Sequence, residues 1–468
     1  MQAMSLRPYQ QQAITDIRAA FTSSRSVLYC LPTGGGKTHI FVEVAERVIK
    51  RGGRVLVLEH RGELVAQAVR KLRGVGINPG VISASYRGAS FTGFEQVVVA
   101  TVQTLAKRTL PSHWQPDFII ADECHLACAA TWRELLLRRF AHCWRLGVTA
   151  TPERLDGQGL GEVFGAMVMG PTISQLTEAG HLVPAVVYAP PAPDLSGVAI
   201  RGGEFAAKAA AAAMTGLVGD VVQHYHRLGA GRRALIFAAS ISHAEQLQAG
   251  FGAGFATVTG KTPAKQRSQT LADLASGAVT GVINVGVLVE GFDCPAVSYI
   301  ALARPTASTT VYLQSIGRGL RPAPGKRDCI IADHAGNASE RFGLPDQDRQ
   351  WSLTGRGKRT RGIDPDALAI TTCPGCFALY AEPVCPRCGH SKPVRPRRLR
   401  QAGGLLRPLT KAELQQRQRQ QSHAMPERPA PYWAPPALWA RLEAKRKREG
   451  YQPGWTIGAC RARMGGRR

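Results

Sequence analysis

The chain comprises 468 residues, 44% of them hydrophobic, which allows two or three domains with cores of their own and excludes a wholly disordered polypeptide. A formal charge of +26 favours a polyanionic partner, since Lys and Arg gain free energy by displacing counterions condensed on phosphates. No apolar run approaches the roughly 20 residues of a membrane-spanning helix, and the opening MQAMSLRPYQ lacks a charged segment followed by an apolar one. A cytoplasmic protein with no membrane contact is therefore expected.

From residue 26 to about 150, the apolar runs SVLYCLP, RVLVLE, QVVVA, DFIIAD and WRLGVTAT alternate with stretches whose apolar residues recur three and four apart, such as THIFVEVAERVIK. This alternation predicts buried parallel strands joined by crossover helices. The Pro- and Gly-rich stretch 190–203 reads as a linker or surface loop. The pattern then resumes with RRALIFAA, GFATVT, TGVINVG, AVSYIALA and RDCIIADH, with helical periodicity at 242–250, 263–276 and 309–320. The expected fold is α/β, with two tandem lobes at 1–190 and 204–350. A small module follows at 370–392, and then a basic, partly disordered extension at 393–468. Residues 351–468 carry 24 Lys and Arg against 7 Asp and Glu, so +17 of the +26 lies in the last quarter of the chain.

The first strand runs into Pro32, Thr33, Gly34, Gly35, Gly36, Lys37 and Thr38, just before a predicted helix. Glycines there let backbone N–H groups close around phosphate oxygens at a helix N-terminus. Lys37 would reach the β and γ phosphates of ATP, and the Thr38 hydroxyl would hold Mg²⁺. Leu31 replaces the first glycine of the usual phosphate-loop pattern. At the end of DFIIAD stand Asp122 and Glu123: the first carboxylate suits the Mg²⁺ shell, the second the attacking water. Alone, such an acidic pair would be a solvated strand end. Paired with the Lys37 loop it becomes a catalytic pair. Far downstream, Cys373-x-x-Cys376 and Cys385-x-x-Cys388 form two knuckles that can close a tetrahedral Zn²⁺ shell, a structural site with no open position. A redox pair would explain one knuckle but not two, and His390 is a weaker substitute ligand. The basic runs 356–361, 395–400 and 445–448 are interleaved with Tyr432, Trp433, Trp439, Tyr451 and Trp455, a composition suited to single-stranded or forked nucleic acid, with solvated disorder as the alternative.

Asp122-Glu123-Cys124-His125 resembles the DEAD, DEAH and DECH boxes of superfamily 2 helicases, and the other motifs agree in order. The resemblance implies two RecA-like lobes and several site residues. Arg7 and Gln10 lie in a segment like the adenine-recognising Q-motif. Thr149 and Thr151 resemble motif III, coupling the ATP site to the nucleic-acid groove together with His125. Gly291 and Asp293 resemble motif V. Gln314, Arg318 and Arg321 resemble motif VI, with both arginines expected one turn apart on one helix, aimed at the γ-phosphate. His60 and Arg61 resemble motif Ia, Thr101 and Gln103 motif Ib, and Ser240, Thr259 and Gly260 occupy the places of motifs IV and IVa, all expected on nucleic-acid phosphates. Ser240 and Thr259 would otherwise serve as simple helix caps.

Two helicase lobes followed by a zinc ribbon and basic tail resemble the bacterial RadD-type repair helicases and their phage relatives. The string Thr151 to Gly157, running on to Gly161, is also similar to theirs, and the likeness covers most of residues 5–390. It implies a monomeric bacterial or phage-encoded motor acting on DNA in repair, recombination or replication. Two alternatives stay open: an RNA-dependent ATPase or RNA helicase, and a DNA-bound scaffold in which ATP is only a switch.

Overall fold

The runs VLYC, VLVL, VVVAT and FIIA offer almost no polar side chain to water, and each becomes a strand buried on both faces. The computed structural model describes residues 6–354 apart from 87, 89, 155–158, 202 and 288–292, together with 370–391, 436–449, 456 and 459–460. The first lobe contains α1 (Pro8–Ala20), β1 (Ser26–Cys30), α2 (Lys37–Ile49), β2 (Val55–Glu59), α3 (Gly62–Gly74), β3 (Gly80–Ile82) and β4 (Val97–Thr101). It continues with α4 (Val102–Leu105), β5 (Phe118–Ala121), α5 (Ala130–Arg133), β6 (Trp144–Thr149), β7 (Ala166–Met169) and α6 (Ile173–Glu178). Its seven strands form one parallel sheet in the order β3-β4-β2-β5-β6-β1-β7. Because all strands run the same way, their C-terminal tips share one edge. The phosphate loop follows β1 there, His60 follows β2, Thr101 ends β4 and Asp122 follows β5.

The second lobe contains β8 (Ala185–Tyr188), β9 (Ile200–Arg201), β10 (Glu204–Phe205), α7 (Ala207–Met214), α8 (Val218–His224), β11 (Arg233–Ala238), α9 (Ile241–Phe251) and β12 (Phe255–Val258). It continues with α10 (Ala264–Ser276), β13 (Gly281–Asn284), β14 (Val297–Ala303), α11 (Thr309–Gly317) and β15 (Cys329–Asp333). Its six-stranded parallel sheet has the order β12-β13-β11-β14-β15-β8. The architecture is two parallel-sheet, RecA-like α/β lobes. One detail differs from expectation. Strand β8 precedes residue 190 yet pairs with β15 in register Cys329↔Ala185, so the second sheet begins before the Pro- and Gly-rich stretch. That stretch contributes β9 to a two-stranded hairpin with β10.

Strands β16 (Thr371–Thr372) and β17 (Leu379–Tyr380) form the small hairpin of the cysteine module. Phe377 O accepts the Ala189 N–H at 2.9 Å, and Ala378 bridges Tyr188. The module thus covers the edge strand of the second sheet, which would otherwise present unpaired backbone groups. In the separate unit that lies within 393–468, the described helix α12 (Pro436–Glu449) buries Trp439 and Leu442 with Cys460. Within it Glu443 accepts from Arg446 at 2.6 Å and from Thr456 Oγ1 at 2.5 Å. Among the described residues, no helix is long and apolar enough to cross a membrane.

Candidate active site

Parallel pairing of β1 with β6 sets Cys30 beside Thr149, and Leu31 N–H donates to Thr149 O at 2.9 Å. The phosphate loop therefore leaves the sheet already tied to the motif III strand. Gly34 and Gly36 hold φ of 90° and 88°, left-handed values that a side chain would strain. Space is equally restrictive, since a Cβ on Gly36 would lie 2.6 Å from Gln10 Nε2. Tyr9 donates its hydroxyl to Gly35 O at 2.7 Å, fixing the loop from the side of α1. Lys37 begins α2 and donates Nζ to Leu31 O at 3.3 Å, so the ammonium curls over the cradle where phosphate oxygens would compete for it. Thr38 stands beside it in the first turn of the same helix.

Asp122 and Glu123 are both buried. Glu123 takes φ 47° and ψ 44°, a left-handed conformation worth about 1–2 kcal/mol of strain for a non-glycine residue, and it turns the chain from β5 into the turn Cys124–Leu126. Asp122 Oδ1 accepts the Glu123 N–H at 2.8 Å. Burial first, and then the adjacent Glu123 carboxylate, push the Asp122 carboxyl up. For Glu123, burial also pushes upward, but the His125 imidazole at 3.4 Å and the Lys37 and Arg318 charges outweigh it and hold the group low. The two carboxyls are thus driven in opposite directions, Asp122 up and Glu123 down.

Residues of the second lobe complete this cleft. Gln314 Nε2 donates to Glu123 Oε2 at 2.9 Å, joining α11 to the tip of β5. Thr151 Oγ1 donates to Thr310 Oγ1 at 2.8 Å between two buried hydroxyls, while Thr149 Oγ1 donates to Thr151 O at 2.9 Å. A side chain on Gly317 would run into Thr33, and one on Gly34 would come within 3.3 Å of Arg321 Cγ. The lobes are therefore closed on each other at the phosphate loop.

Several expected placements differ. Arg318 and Arg321 do not share a helix. Helix α11 ends at Gly317, Arg318 is its buried C-cap, and Pro322 pushes the residue before it out of helical conformation. Arg321 then pairs with Asp293 of the motif V segment. Gln10 accepts the Arg7 N–H on its amide oxygen at 2.9 Å, and its Nε2 faces Gly36. Gly291 lies outside the described residues, as do the runs 356–361 and 395–400 and the aromatics Tyr432, Trp433, Tyr451 and Trp455.

On the shared edge of the first sheet, Gln103 Nε2 and His60 Nδ1 lie 3.4 Å apart, and Arg61 is the N-cap of α3. Thr101 is buried, and its hydroxyl donates to Thr104 at 2.8 Å. Ser240 caps α9 by accepting from His243 N–H at 3.1 Å. Thr259 Oγ1 accepts from Lys261 N–H at 3.2 Å, and Gly260 faces open space. Arg267, which the motif reading missed, donates to Thr259 O and Thr262 O and reaches Glu63 of α3 in the other lobe at 2.8 Å. Its position one turn into α10 offered no signal without the tertiary contact. Thr310 was also missed, although its place at the start of the motif VI helix could have suggested it.

In the cysteine module the four Sγ atoms all lie within 4.8 Å of one another, with Cys373 to Cys388 at 3.4 Å and Cys376 to Cys385 at 3.7 Å. Thiolates about 2.3 Å from a tetrahedral zinc sit about 3.8 Å apart, so the cluster fits that ion. Desolvation pushes the Cys373 thiol up, but N–H groups of Cys376 and Gly375 donating to it hold it low, while the Cys376 and Cys388 thiols beside the other sulfurs are pushed up, as thiols crowded into one site without a cation are. His390 is not part of the cluster.

Residues 3–154 match the family described as Type III restriction enzyme, res subunit, and residues 218–323 match the helicase conserved C-terminal domain. A 51.5 kDa protein of a Lactococcus phage is 31% identical over 367 residues, covering 77% of this chain and 76% of the phage protein. IRC3 of Saccharomyces cerevisiae, which carries the name of an ATP-dependent helicase, is 29% identical over 71% of this chain; the match spans 52% of the yeast protein. A fragment of an HsdR-type subunit of a type I restriction enzyme from Vibrio vulnificus has a TM-score of 0.57 at 21% identity, over 73% of this chain and 66% of the fragment. The Type ISP restriction-modification enzyme LlaBIII bound to DNA gives 0.56 at 18%, over 73% and 28%. Both structural likenesses concern the fold.

Proposed function

The chain belongs to the superfamily 2 helicases and is an ATP hydrolase, and from that premise we propose that it is a DNA-stimulated motor that translocates along DNA or separates its strands. The hydrogen bond from Gln314 to Glu123 carries this reading. It joins a side chain of the motif VI segment in one lobe to Glu123, the proposed base, in the other, so a change at the γ-phosphate alters the relation between lobes. Bound Mg²⁺, held through Thr38 and Asp122, would neutralise charge on the β and γ phosphates. Lys37 exchanges Leu31 O for phosphate oxygen, Glu123 orients and deprotonates the attacking water, and Arg318 and Arg321 stabilise charge on the transferred group. Opening and closing of the lobes is passed to the track through Thr310, Thr151 and Thr149.

His60, Arg61 and Gln103 form the track-facing edge of the first lobe, with Gly260 and Thr259 O on the second. The match to a restriction-enzyme family and the charge of +26 support DNA as the track, and the RadD-type resemblance supports a role in repair, recombination or replication. Zn²⁺ held by Cys373, Cys376, Cys385 and Cys388 would be structural.

The test is steady-state ATP hydrolysis without nucleic acid, with single-stranded DNA and with RNA, on the full chain and on Lys37→Ala. Stimulation by DNA, lost in the variant, is expected. Turnover indifferent to nucleic acid would remove the motor, and stimulation by RNA alone would move the track.

A further inference from the structure

Beyond the motif VI arginines, one cation sits directly under their loop. The segment after α11 reads Arg321-Pro322-Ala323-Pro324-Gly325-Lys326. Two prolines fix φ, and Gly325 at φ 75° supplies the left-handed step, so the chain doubles back with Lys326 N–H on Ala323 O at 3.0 Å. The Lys326 ammonium then donates to three backbone carbonyls: Arg321 O at 2.7 Å, Val297 O at 2.6 Å and Pro295 O at 2.9 Å. An ammonium has three N–H donors, and all three are used. No carboxylate takes part, so the side chain is a backbone staple rather than an ion pair.

What it staples is the base of Arg321. One end is the carbonyl of Arg321 itself. Another is Pro295, two residues from Asp293, whose carboxylate holds the Arg321 guanidinium. The third, Val297, begins β14 in the centre of the sheet. Arg321 has left helix α11, so no helical hydrogen bond fixes its backbone, while its Cγ lies against the phosphate loop at Gly34. Burial lowers the Lys326 amine to about 8, which marks an ammonium withdrawn from water and paired with carbonyls instead.

We infer that Lys326 is a positioning residue for ATP hydrolysis, holding the backbone of Arg321 to β14 so that its guanidinium reaches the γ-phosphate. The inference rests on the reading of Arg321 as a transition-state arginine. A misplacement of about 1 Å costs on the order of 10²-fold in rate. Loss of the staple acts through geometry and leaves the nucleotide pocket intact.

The experiment measures kcat and KM for ATP under saturating single-stranded DNA, together with melting temperature, for Lys326→Met, Lys326→Gln, Arg321→Ala and the double variant Lys326→Met/Arg321→Ala. Lys326→Met is expected to lower kcat by about 10²-fold with KM nearly unchanged. Lys326→Gln, which keeps two donors, should recover part of the loss. The double variant should be no slower than Arg321→Ala alone, because a staple has nothing to position once the side chain is gone. Losses that multiply in the double variant, an unchanged kcat in Lys326→Met, or unfolding of both Lys326 variants would each overturn the inference. If Arg321→Ala itself leaves kcat intact, the arginine reading fails and the staple falls with it. If Arg321→Ala is slow and Lys326→Met is not, only the staple fails.

Discussion

Replacing Thr310 with valine deletes one hydroxyl from the buried pair that joins the lobes. Thr151 Oγ1 donates to Thr310 Oγ1 at 2.8 Å, and both residues are almost fully shielded from solvent. A hydrogen bond of this kind contributes about 1 kcal/mol net, and stranding its buried partner costs about 1–3 kcal/mol. The closed arrangement of the lobes should therefore weaken by roughly 1–3 kcal/mol. Where closure limits turnover, that is a fall in DNA-stimulated kcat of about 5-fold to 150-fold. Valine matches threonine in shape, so Thr151→Val/Thr310→Val, with both polar partners gone, should be less impaired than the sum of the single variants. The assay is a double-mutant cycle on kcat, with inter-lobe distance followed by fluorescence transfer between labels on the two lobes. The contact has no coupling role if Thr310→Val hydrolyses ATP at the wild-type rate, or if the two single effects simply add.

Three further outcomes follow from other contacts. Burial lowers His243 to about 4, and burial together with the neighbouring His224 and His243 imidazoles acts the same way on His334, lowered to about 3. The unfolded chain binds protons at these histidines from about pH 6.5, so their contribution is complete above that pH and is lost as pH falls towards 4 and below. The melting temperature should drop steeply between pH 6 and pH 4, and a His243→Gln variant should flatten that slope; equal slopes would refute the assignment. Metal removal should loosen more than the cysteine module, because Phe377 O and Ala378 hold the edge of β8. Chelation is expected to raise amide exchange at Ala189 and in residues 185–188, and unchanged protection there would show the docking to be independent of metal. Finally, Glu63→Gln removes the carboxylate that occupies Arg267. If that arginine serves phosphate instead, single-stranded DNA should bind several-fold tighter in the variant, whereas Arg267→Gln should bind more weakly and with a shallower salt dependence. Salt titration of DNA affinity distinguishes these outcomes.

The candidate chemistry-bearing residues stand out in the sequence because each occupies a short-range pattern. Glycines before Lys37, a carboxylate pair after an apolar strand and two Cys-x-x-Cys knuckles are all set by the residues beside them. The alternation of apolar runs and amphipathic stretches likewise implied two parallel α/β lobes. Short or weakly apolar strands escaped that reading. Strand β3 spans three residues, and β7 and β8 lie at sheet edges, where only pairing with a distant strand marks them. Strand β8 in particular was placed with the wrong lobe by proximity in sequence, since its partner β15 lies more than 140 residues away.

What local pattern supplied, then, was the set of candidate residues for phosphate, metal and water. Which of them meet was decided by tertiary structure. Gln314 on Glu123 and Thr310 on Thr151 depend on two separate lobes meeting at one cleft, and Lys326 beneath Arg321 depends on distant segments meeting within the second lobe. The stop of α11 at Gly317 belongs to both levels. Pro322 announces it, but the new course of Arg321 across the phosphate loop exists only because the chain folds back onto β14.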